Sequence, residues 1–265
     1  MKDLNPILKA QYRDSSNLDA RIRLHQMFST NSYGWYRWYL DHLDFPNHPR
    51  ILELGCGPAA LWQNNTGRMP EDAQLFLTDF SPGMVTQAHQ NIADSRCHFS
   101  IVAAQSIPFP TASFDLVLAN HMLYHVPNQD QAIAEIRRVL RPTGRLYAAT
   151  NGERHMKEVD EAVTRLAPEL AGRFLGPSFA ESFTLENGEA QLARHFQHLR
   201  LDRYPDGLVI TQAQPFVDYI LSMSVDITST ASQPEIDQLV HRVRTEIQDH
   251  GPIRITKVTG IWIAA

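Results

Sequence analysis

Two glycines, Gly55 and Gly57, directly follow a run of branched apolar residues in the stretch ILELGCGPAALW, residues 51–62. The run contains an acid, Glu53. Each glycine costs conformational entropy on folding, so two beside a buried strand need a reason. A strand that ends in Gly-x-Gly and opens a helix is typical of nucleotide sites in parallel sheets. The spacing also fits a tight turn without a ligand, or a dinucleotide fingerprint with Ala60 as its third small residue.

An acid at the end of the next apolar run favours a ligand at this turn. Asp79 ends the run LFLTD and stands 22 residues after Gly57. A carboxylate at the end of the second strand of such a sheet can accept hydrogen bonds from ribose hydroxyls. Ser81, rather than Asp79, fits the N-cap of the following helix. Phe80 would then lie where it can pack on the face of a purine.

Two histidines follow the fourth apolar run and are candidate bases. His121 and His125 are four residues apart, with Tyr124 between them, so on a helix they would share a face. Histidine titrates near neutrality and can take a proton from an acceptor group. A packing role for His125, under the ligand and orienting a loop, remains open. The pair lacks the glutamate and the third ligand of a zinc site, so no metal is expected.

The elements that must position these residues alternate between residues 50 and 150. Near-continuous apolar runs separated by helices predict a parallel sheet covered on both faces. Ser81 and Pro82 mark the start of one helix, and Pro142 and Gly144 predict the end of another. The predicted strands are 50–54, 74–79, 98–102, 114–120 and 145–150.

The rhythm changes outside this region. Residues 152–197 read as helices and loops, whereas 200–204 and 253–264 read as strands, the latter alternating as an antiparallel strand does. The segment before residue 50 is helical and rich in aromatic residues. We therefore predict a helical lid over 1–49, a core formed by 50–151 and 198–265, and a helical insertion, or cap, over 152–197.

Composition limits the partners and the cellular location. The 265 residues carry a net charge of −5 and no long basic block, which disfavours a nucleic-acid partner. Cys56 and Cys97, the only cysteines, have neither metal-site spacing nor a disulfide pattern. No apolar stretch reaches about 18 residues and the first twenty lack a signal-peptide core, so a cytoplasmic protein without a membrane partner is expected.

Both NAD and S-adenosylmethionine present a ribose to such an acid, and three features favour the second. Glu53 stands where dinucleotide folds usually place an apolar residue. The fourth strand ends in the polar cluster NHMLYH, residues 120–125, which suits an acceptor site. The chain closes with a pair of strands rather than another strand–helix–strand unit.

The motifs LELGCGPA, LTDFSPGM, IPFPTASFDLVLANHMLYHV and EIRRVLRPTGRLYAAT occur in this order. Together they resemble the successive motifs of class I S-adenosylmethionine-dependent methyltransferases. The closest group is the small-molecule branch with a methyltransferase type 11 domain, which includes ubiquinone- and menaquinone-biosynthesis-like enzymes. The resemblance is strong over 50–150 and weak over 200–265. It implies a Rossmann-like, doubly wound α/β fold with a mostly parallel seven-stranded sheet whose last strand is antiparallel.

The resemblance also assigns site residues. It implies that S-adenosylmethionine is bound by Glu53, Gly55 and Gly57 around its methionine and ribose and by Asp79 at the ribose hydroxyls. Phe80 and Met84 would flank the adenine, the backbone of Ala104 and the side chain of Gln105 would meet its edge, and Asn120 would approach the methionine end. Two positions depart from the family. Ala59 stands where a third glycine is frequent, and we expect a modest rearrangement there. Ala103 replaces the acid that often binds the adenine amino group, a bond that Gln105 can supply instead.

The predicted activity is methyl transfer to a small organic acceptor. In such an in-line displacement the protein mainly aligns the reacting atoms and excludes water, and amine or hydroxyl acceptors also need a base. We predict His121 or His125 as that base. On a helix, Trp35 and Trp38 would share one face and Tyr33 and Tyr36 a neighbouring row, so we predict that Tyr33 lines the acceptor pocket.

Two alternatives remain open at this point. One is a non-catalytic cofactor-binding or regulatory module of the same fold, and the other is an NAD-dependent oxidoreductase. The oligomeric state expected is a monomer or a homodimer. The four aromatic residues of 33–38 could equally be packing residues or a dimer contact.

Overall fold

A computed structural model describes residues 16–169, 182–223 and 231–265. The chain forms two compact units. One comprises Met1–Gly34, Arg154–Ser178 and Pro205–Val258, and the other comprises Trp35–Glu153, Phe179–Tyr204 and Thr259–Ala265. We call the first the helical unit and the second the sheet unit.

The described elements follow one another along the chain without large gaps. They are α1 (Ser16–Phe28), α2 (Trp35–Asp41), β1 (Arg50–Leu54), α3 (Ala60–Gln63), β2 (Gln74–Asp79), α4 (Pro82–Asn91), β3 (Cys97–Ile101), β4 (Phe114–Asn120), a 3₁₀ helix (Leu123–His125), α5 (Gln129–Val139), β5 (Leu140–Asn151), α6 (Lys157–Leu166), α7 (Gly188–Leu192), β6 (Leu199–Tyr204), β7 (Gly207–Ile210), α8 (Ala213–Ser222), α9 (Gln233–His250), β8 (Ile253–Thr256) and β9 (Thr259–Ala264).

The sheet unit contains a seven-stranded sheet with the order β3-β2-β1-β4-β5-β9-β6. Strands β1 to β5 pair in parallel, and β9 runs antiparallel to both of its neighbours. This confirms the predicted mostly parallel, doubly wound α/β sheet. The strand order reverses direction beside β1, so the carboxyl ends of β1 and β4 flank the point where such folds bind ligands.

Local sequence explains why the central elements begin and end where they do. Four of the five residues of β1 are buried, as expected for a strand covered on both faces. Helix α4 begins with Ser81 as N-cap, whose Oγ accepts from the Met84 N–H at 3.4 Å, and with Pro82 at its first position. Helix α5 ends at Val139, before Pro142 and Gly144, because β5 already begins at Leu140.

The closing pair of strands holds an insertion that the sequence does not reveal. Strands β6 and β9 pair in the sheet unit, and the residues between them belong to the helical unit. The stretch 253–264, predicted as one strand, is divided between β8, which pairs with β7, and β9. The break occurs at Lys257, which pairs with the Asp206 carboxylate, and at Val258, whose N–H donates to His155 Nδ1 at 3.1 Å.

The helical unit has its own core and its own two-stranded sheet. The core combines buried apolar residues of α1, α6, α8 and α9 with those of β7 and β8. Asp206 joins the start of β7 to the segment after α1, because its carboxylate accepts from Ser29 Oγ at 2.7 Å and from the Asn31 N–H at 3.1 Å. The grouping of 205–258 with this unit divides the chain differently from the boundaries predicted from the sequence.

Candidate active site

The glycine turn after β1 consists of alternating left-handed residues. Gly55, Gly57 and Ala59 have φ angles of 66°, 55° and 63°. A Cβ at position 55 would lie 2.7 Å from the Cβ of Met122, so a side chain of this protein fills that space. Ala59 retains the left-handed conformation although it has a Cβ, at a cost of about 1–2 kcal/mol. The turn therefore needs glycine at position 55 for backbone shape and for close packing.

Asp79 at the end of β2 holds this turn in place. Its Oδ2 accepts from the Gly57 N–H at 3.0 Å, and its Oδ1 accepts from the Ser81 N–H at 2.8 Å. Burial raises the pKa of Asp79, and the backbone hydrogen bonds from Ser81, Gly57 and Phe80 partly offset that rise. Each carboxylate oxygen has two lone pairs, so both oxygens can accept a further hydrogen bond from a ligand.

Glu53 lies beneath the turn and is 2% exposed. Its Oε2 accepts from Trp62 Nε1 at 2.6 Å, and its backbone carbonyl accepts from Thr78 Oγ1 at 2.7 Å. Burial raises the pKa of Glu53 to about 7, the Trp62 hydrogen bond lowers it, and the charge of Asp79 raises it further. Sequence analysis did not find Trp62; its only signal is a large aromatic residue one turn after the glycines.

A tight turn after β3 brings the predicted adenine-edge residues beside Asp79. The Val102 N–H donates to the Asp79 carbonyl at 3.1 Å, and the Ser106 N–H closes the turn on the Ala103 carbonyl at 2.9 Å. Ala104 is buried in this turn. Gln131 Nε2 anchors the turn through the Gln105 carbonyl at 3.0 Å. Phe80 is half-buried at the end of β2, and Met84 is buried on α4.

The carboxyl end of β4 holds an unsatisfied polar atom. Asn120 Oδ1 is buried and has no hydrogen-bond partner among the residues that the structure describes. A buried acceptor without a donor costs about 1–3 kcal/mol, which a bound ligand would offset. His121 follows with a φ of 55°, and its N–H donates to the Ala149 carbonyl at 3.1 Å. Strained backbone of this kind clusters at functional sites.

The two candidate bases do not lie on one helix face. Only Leu123–His125 forms a 3₁₀ helix, and His121 precedes it in the left-handed region. The His121 ring lies 5.2 Å from the Trp35 ring, and the His125 ring lies 4.5 Å from the Tyr124 ring. The condition for a shared face is therefore not met, because the left-handed residue breaks helical periodicity.

The aromatic segment before β1 contributes differently from the prediction. Helix α2 begins at Trp35, so Tyr33 and Tyr36 do not form one helical row; Gly34, with a φ of 87°, separates them. The Trp35 and Trp38 rings lie 5.4 Å apart, which confirms that they share a face. Tyr33 is 48% exposed and belongs to the helical unit, so its place in an acceptor pocket remains a prediction.

The remaining candidates lie together in the sheet unit. The predicted cofactor residues and both histidines come from the carboxyl ends of β1 to β4 and the turns that follow them. Within the described ranges, no three His, Cys, Asp or Glu side chains are grouped as a metal site would need. None of the helices described is long and apolar enough to cross a membrane.

Comparison with known proteins agrees with this architecture. Residues 52–148 match the family described as a methyltransferase domain. The chain is 31% identical to methyltransferase GfsG of Streptomyces halstedii over 157 residues, 55% of this chain and 54% of GfsG. It is 34% identical to the malonyl-[acyl-carrier protein] O-methyltransferase of Hahella chejuensis over 115 residues, 42% of this chain and 40% of that protein. The chain therefore spans about half the length of the curated relatives it matches.

A solved structure extends the similarity in fold to the whole chain. Phosphoethanolamine N-methyltransferase 2 of Haemonchus contortus, in complex with S-adenosyl-L-methionine, superposes with a TM-score of 0.59 at 17% identity. The superposition covers 100% of this chain and 60% of that chain. Residues 52–148 are thus a methyltransferase domain, built on the seven-stranded sheet of the class I fold.

Proposed function

We propose that this protein is an S-adenosylmethionine-dependent methyltransferase that acts on a small organic acceptor. The observation that carries the proposal is the cluster formed by the glycine turn, Asp79 and the unsatisfied Asn120 Oδ1 at the carboxyl ends of β1, β2 and β4. The methyltransferase match over 52–148 supports it. When bound, the cofactor supplies a methyl group on a cationic sulfur, already activated for in-line displacement.

The donors and acceptors present fit this cofactor. Asp79 would accept from the ribose hydroxyls through the lone pairs that Gly57 and Ser81 do not use. Phe80 and Met84 would flank the adenine. Asn120 Oδ1 would accept from the methionine amino group.

The other predicted ligands would come from the turns on either side. The Ala104 backbone and the Gln105 side chain would meet the edge of the adenine. Glu53 would supply negative charge toward the methionine end. Gly55 and Gly57 keep the backbone of the first turn free of side chains, which leaves it open to the ligand.

The residues of the protein would align the acceptor and accept its proton. His121, held against Trp35 in a strained conformation, is one candidate base, and His125, stacked on Tyr124, is the other. An acceptor that reacts as a thiolate or a carboxylate would need neither base. Tyr33 is retained as a proposed pocket residue.

The acceptor class rests on composition and on the relatives. The net charge of −5 disfavours a nucleic-acid acceptor, and relatives such as the demethylmenaquinone methyltransferase of Listeria monocytogenes are named for small acceptors. A monomer or homodimer is proposed.

The lid remains a proposal as well. Leu24 and Phe28 are buried in the core of the helical unit, so deleting the leading segment would disrupt that unit. Point substitution of Tyr33 is the cleaner test of its role, because the side chain is exposed. Tyr33→Ala should lower transfer to the acceptor without changing cofactor affinity, and unchanged transfer would remove Tyr33 from the pocket.

Calorimetry with S-adenosylhomocysteine, S-adenosylmethionine and NAD tests the proposed cofactor. The first two should bind far more tightly than NAD. Asp79→Ala should weaken their binding by about 1.5–3 kcal/mol, the range for hydrogen bonds to a charged group. Ser81→Ala, which removes the helix cap but no proposed ligand contact, is the matched control. Preferential binding of NAD would overturn the proposal, and tight binding without transfer to any of a panel of small acceptors would indicate a non-catalytic module.

A further inference from the structure

The hydrogen bond between Trp62 and Glu53 joins two of the most deeply buried side chains in the sheet unit. Trp62 is 0% exposed and Glu53 is 2% exposed, and Nε1 lies 2.6 Å from Oε2. The indole is fixed from both sides, because its backbone N–H donates to Ala59 at 3.2 Å and its carbonyl accepts from Asn65 at 3.1 Å. One oxygen of the carboxyl group is therefore held in a single position.

The second oxygen of Glu53 has no such partner. In residues 16–169, 182–223 and 231–265, Oε1 accepts no hydrogen bond, and no Lys, Arg or His forms an ion pair with this carboxyl group. A buried carboxylate without a cationic partner is costly, since its desolvation is not offset by an opposite charge. A positively charged ligand group near Oε1 would supply that charge.

The titratable groups around Glu53 do not supply it. Asp79 on β2, Tyr36 and Tyr39 on α2 and Cys56 in the glycine turn all interact with Glu53 or share its surroundings, and none is a cation. Burial, and secondarily the charge of Glu53, raises the pKa of Tyr36 to about 12, so this phenol stays neutral. In the protein alone, the Trp62 N–H is the group that favours the ionised form of Glu53.

We propose that Trp62 is a positioning residue for the ligand site: its indole N–H fixes Oε2 of Glu53, so that Oε1 is directed to the cationic amino group of the bound ligand. The inference rests on the proposed function and adds to it a residue that does not touch the ligand. The indole N–H is only a donor, so it favours the carboxylate over the neutral acid. Removing it should raise the pKa of Glu53 above about 7.

The experiment compares Trp62→Phe with the wild-type protein between pH 6 and pH 8 by calorimetry. The two ligands are S-adenosylhomocysteine and methylthioadenosine, which share the adenosine but differ in the amino-acid portion. A pKa rise of about one unit would lower the ionised fraction of Glu53 at pH 7 about fivefold. The variant should therefore bind S-adenosylhomocysteine about fivefold more weakly at pH 7, with the pH dependence shifted upward, and bind methylthioadenosine unchanged.

Two other results would overturn the inference. An equal loss for both ligands would show that Trp62 only supports the shape of the site, and an unchanged pH profile would show that it does not act on Glu53. Trp38→Phe, which removes an indole that makes no contact with Glu53, is the matched control. If the wild-type protein binds neither ligand, the proposed function fails by itself.

A second measurement does not depend on the ligand or on the stability of one variant. The carboxyl group of Glu53 is titrated by carbon NMR in protein labelled at glutamate, with Glu53→Gln used for assignment. The wild type should titrate at about 7 and, with S-adenosylhomocysteine bound, at lower pH. No downward shift on binding would contradict the inference, because it would place no cation near Oε1.

Discussion

Asp79 shows how one side chain serves both the fold and the proposed ligand. Its two oxygens hold the Gly57 and Ser81 amides, which fixes the glycine turn relative to the start of α4. A carboxylate has the lone pairs for both tasks, whereas an amide side chain has only one acceptor oxygen. The ribose role predicted from the sequence is therefore compatible with a structural role that the sequence does not reveal.

At the residue scale, Gln105 and Ala103 test how the adenine is read. If Gln105 supplies the bond that the missing acid would make, Gln105→Ala should weaken binding of S-adenosylhomocysteine by about 0.5–1.5 kcal/mol. Ala103→Asp in that background should restore part of the loss, because position 103 lies in the same tight turn. Calorimetry measures both. Equal affinities in the three proteins would show that neither side chain contacts the adenine.

The two histidines make a second prediction at this scale. If either is the base, its alanine variant should lose about 10²–10⁴-fold in turnover while cofactor affinity is kept. Single-turnover transfer of labelled methyl groups, read beside calorimetry, separates the two effects. His89→Ala is the control, since that ring contacts Phe99 in the sheet unit, away from the site. Full activity in both variants would mean that alignment alone drives transfer.

At the element scale, the antiparallel closure of the sheet depends on a close backbone approach. Gly260 on β9 pairs with Arg203 on β6 and with Thr150 on β5. A Cβ at position 260 would lie 2.6 Å from the Asp202 carbonyl oxygen, which belongs to a backbone that cannot move without breaking the pairing. The glycine is thus needed for packing rather than for a positive φ.

We therefore expect Gly260→Ala to lower the free energy of unfolding by about 1–3 kcal/mol, as overpacking usually does. Gly67→Ala is an informative comparison, because a Cβ there meets no atom within 4 Å and only its φ of 81° is unfavourable. Urea unfolding of both variants measures the loss. Loss of pairing in Gly260→Ala should also speed hydrogen exchange in β6 and β9, whereas Gly67→Ala should leave those amides protected.

At the scale of the whole molecule, each unit has its own core and its own polar anchor. In the helical unit that anchor is Asp206, whose side chain is 1% exposed and paired with Lys257. Burial alone would raise the pKa of Asp206, but the hydrogen bonds from Lys257 and Ser29 outweigh it and the pKa is lowered. A lowered pKa means that the stabilisation is present above the ordinary aspartate pKa and is lost as the pH falls through the lowered value.

This anchor predicts how the helical unit responds to acid. Asp206→Asn should destabilise it by about 3 kcal/mol near neutral pH, because Lys257 is left without its buried partner. The difference between the wild type and the variant should shrink as the pH falls below about 4. Hydrogen exchange at the Asn31 and Gly207 amides, which donate to Asp206, reports the opening free energy.

Asp94→Asn is the matched control for that titration. Asp94 forms an ion pair with Arg96 in the sheet unit, and that hydrogen-bonded guanidinium lowers its pKa to about 2. The variant should leave the Asn31 and Gly207 amides unchanged. A pH-independent difference in Asp206→Asn would mean that the carboxylate charge does not contribute to stability.

The sequence by itself determined the elements of the parallel sheet and their order. Apolar runs bounded by glycine, serine and proline are local signals, and the glycine turn and Asp79 follow from the rule that parallel strands end at one edge. The α4 start at Ser81 and Pro82 is equally local, since capping involves only neighbouring residues. These features could be predicted because each depends on a few consecutive residues.

Only the tertiary structure decided the features that depend on contacts between distant residues. The pairing of Glu53 with Trp62, the packing of Met122 against Gly55 and the contact of Trp35 with His121 join side chains from different elements. The division of 253–264 follows from such contacts as well, because the Lys257–Asp206 pair and the Val258–His155 bond override a continuous strand pattern. Alternation of polar and apolar residues specifies strands but not the sheet that each strand joins.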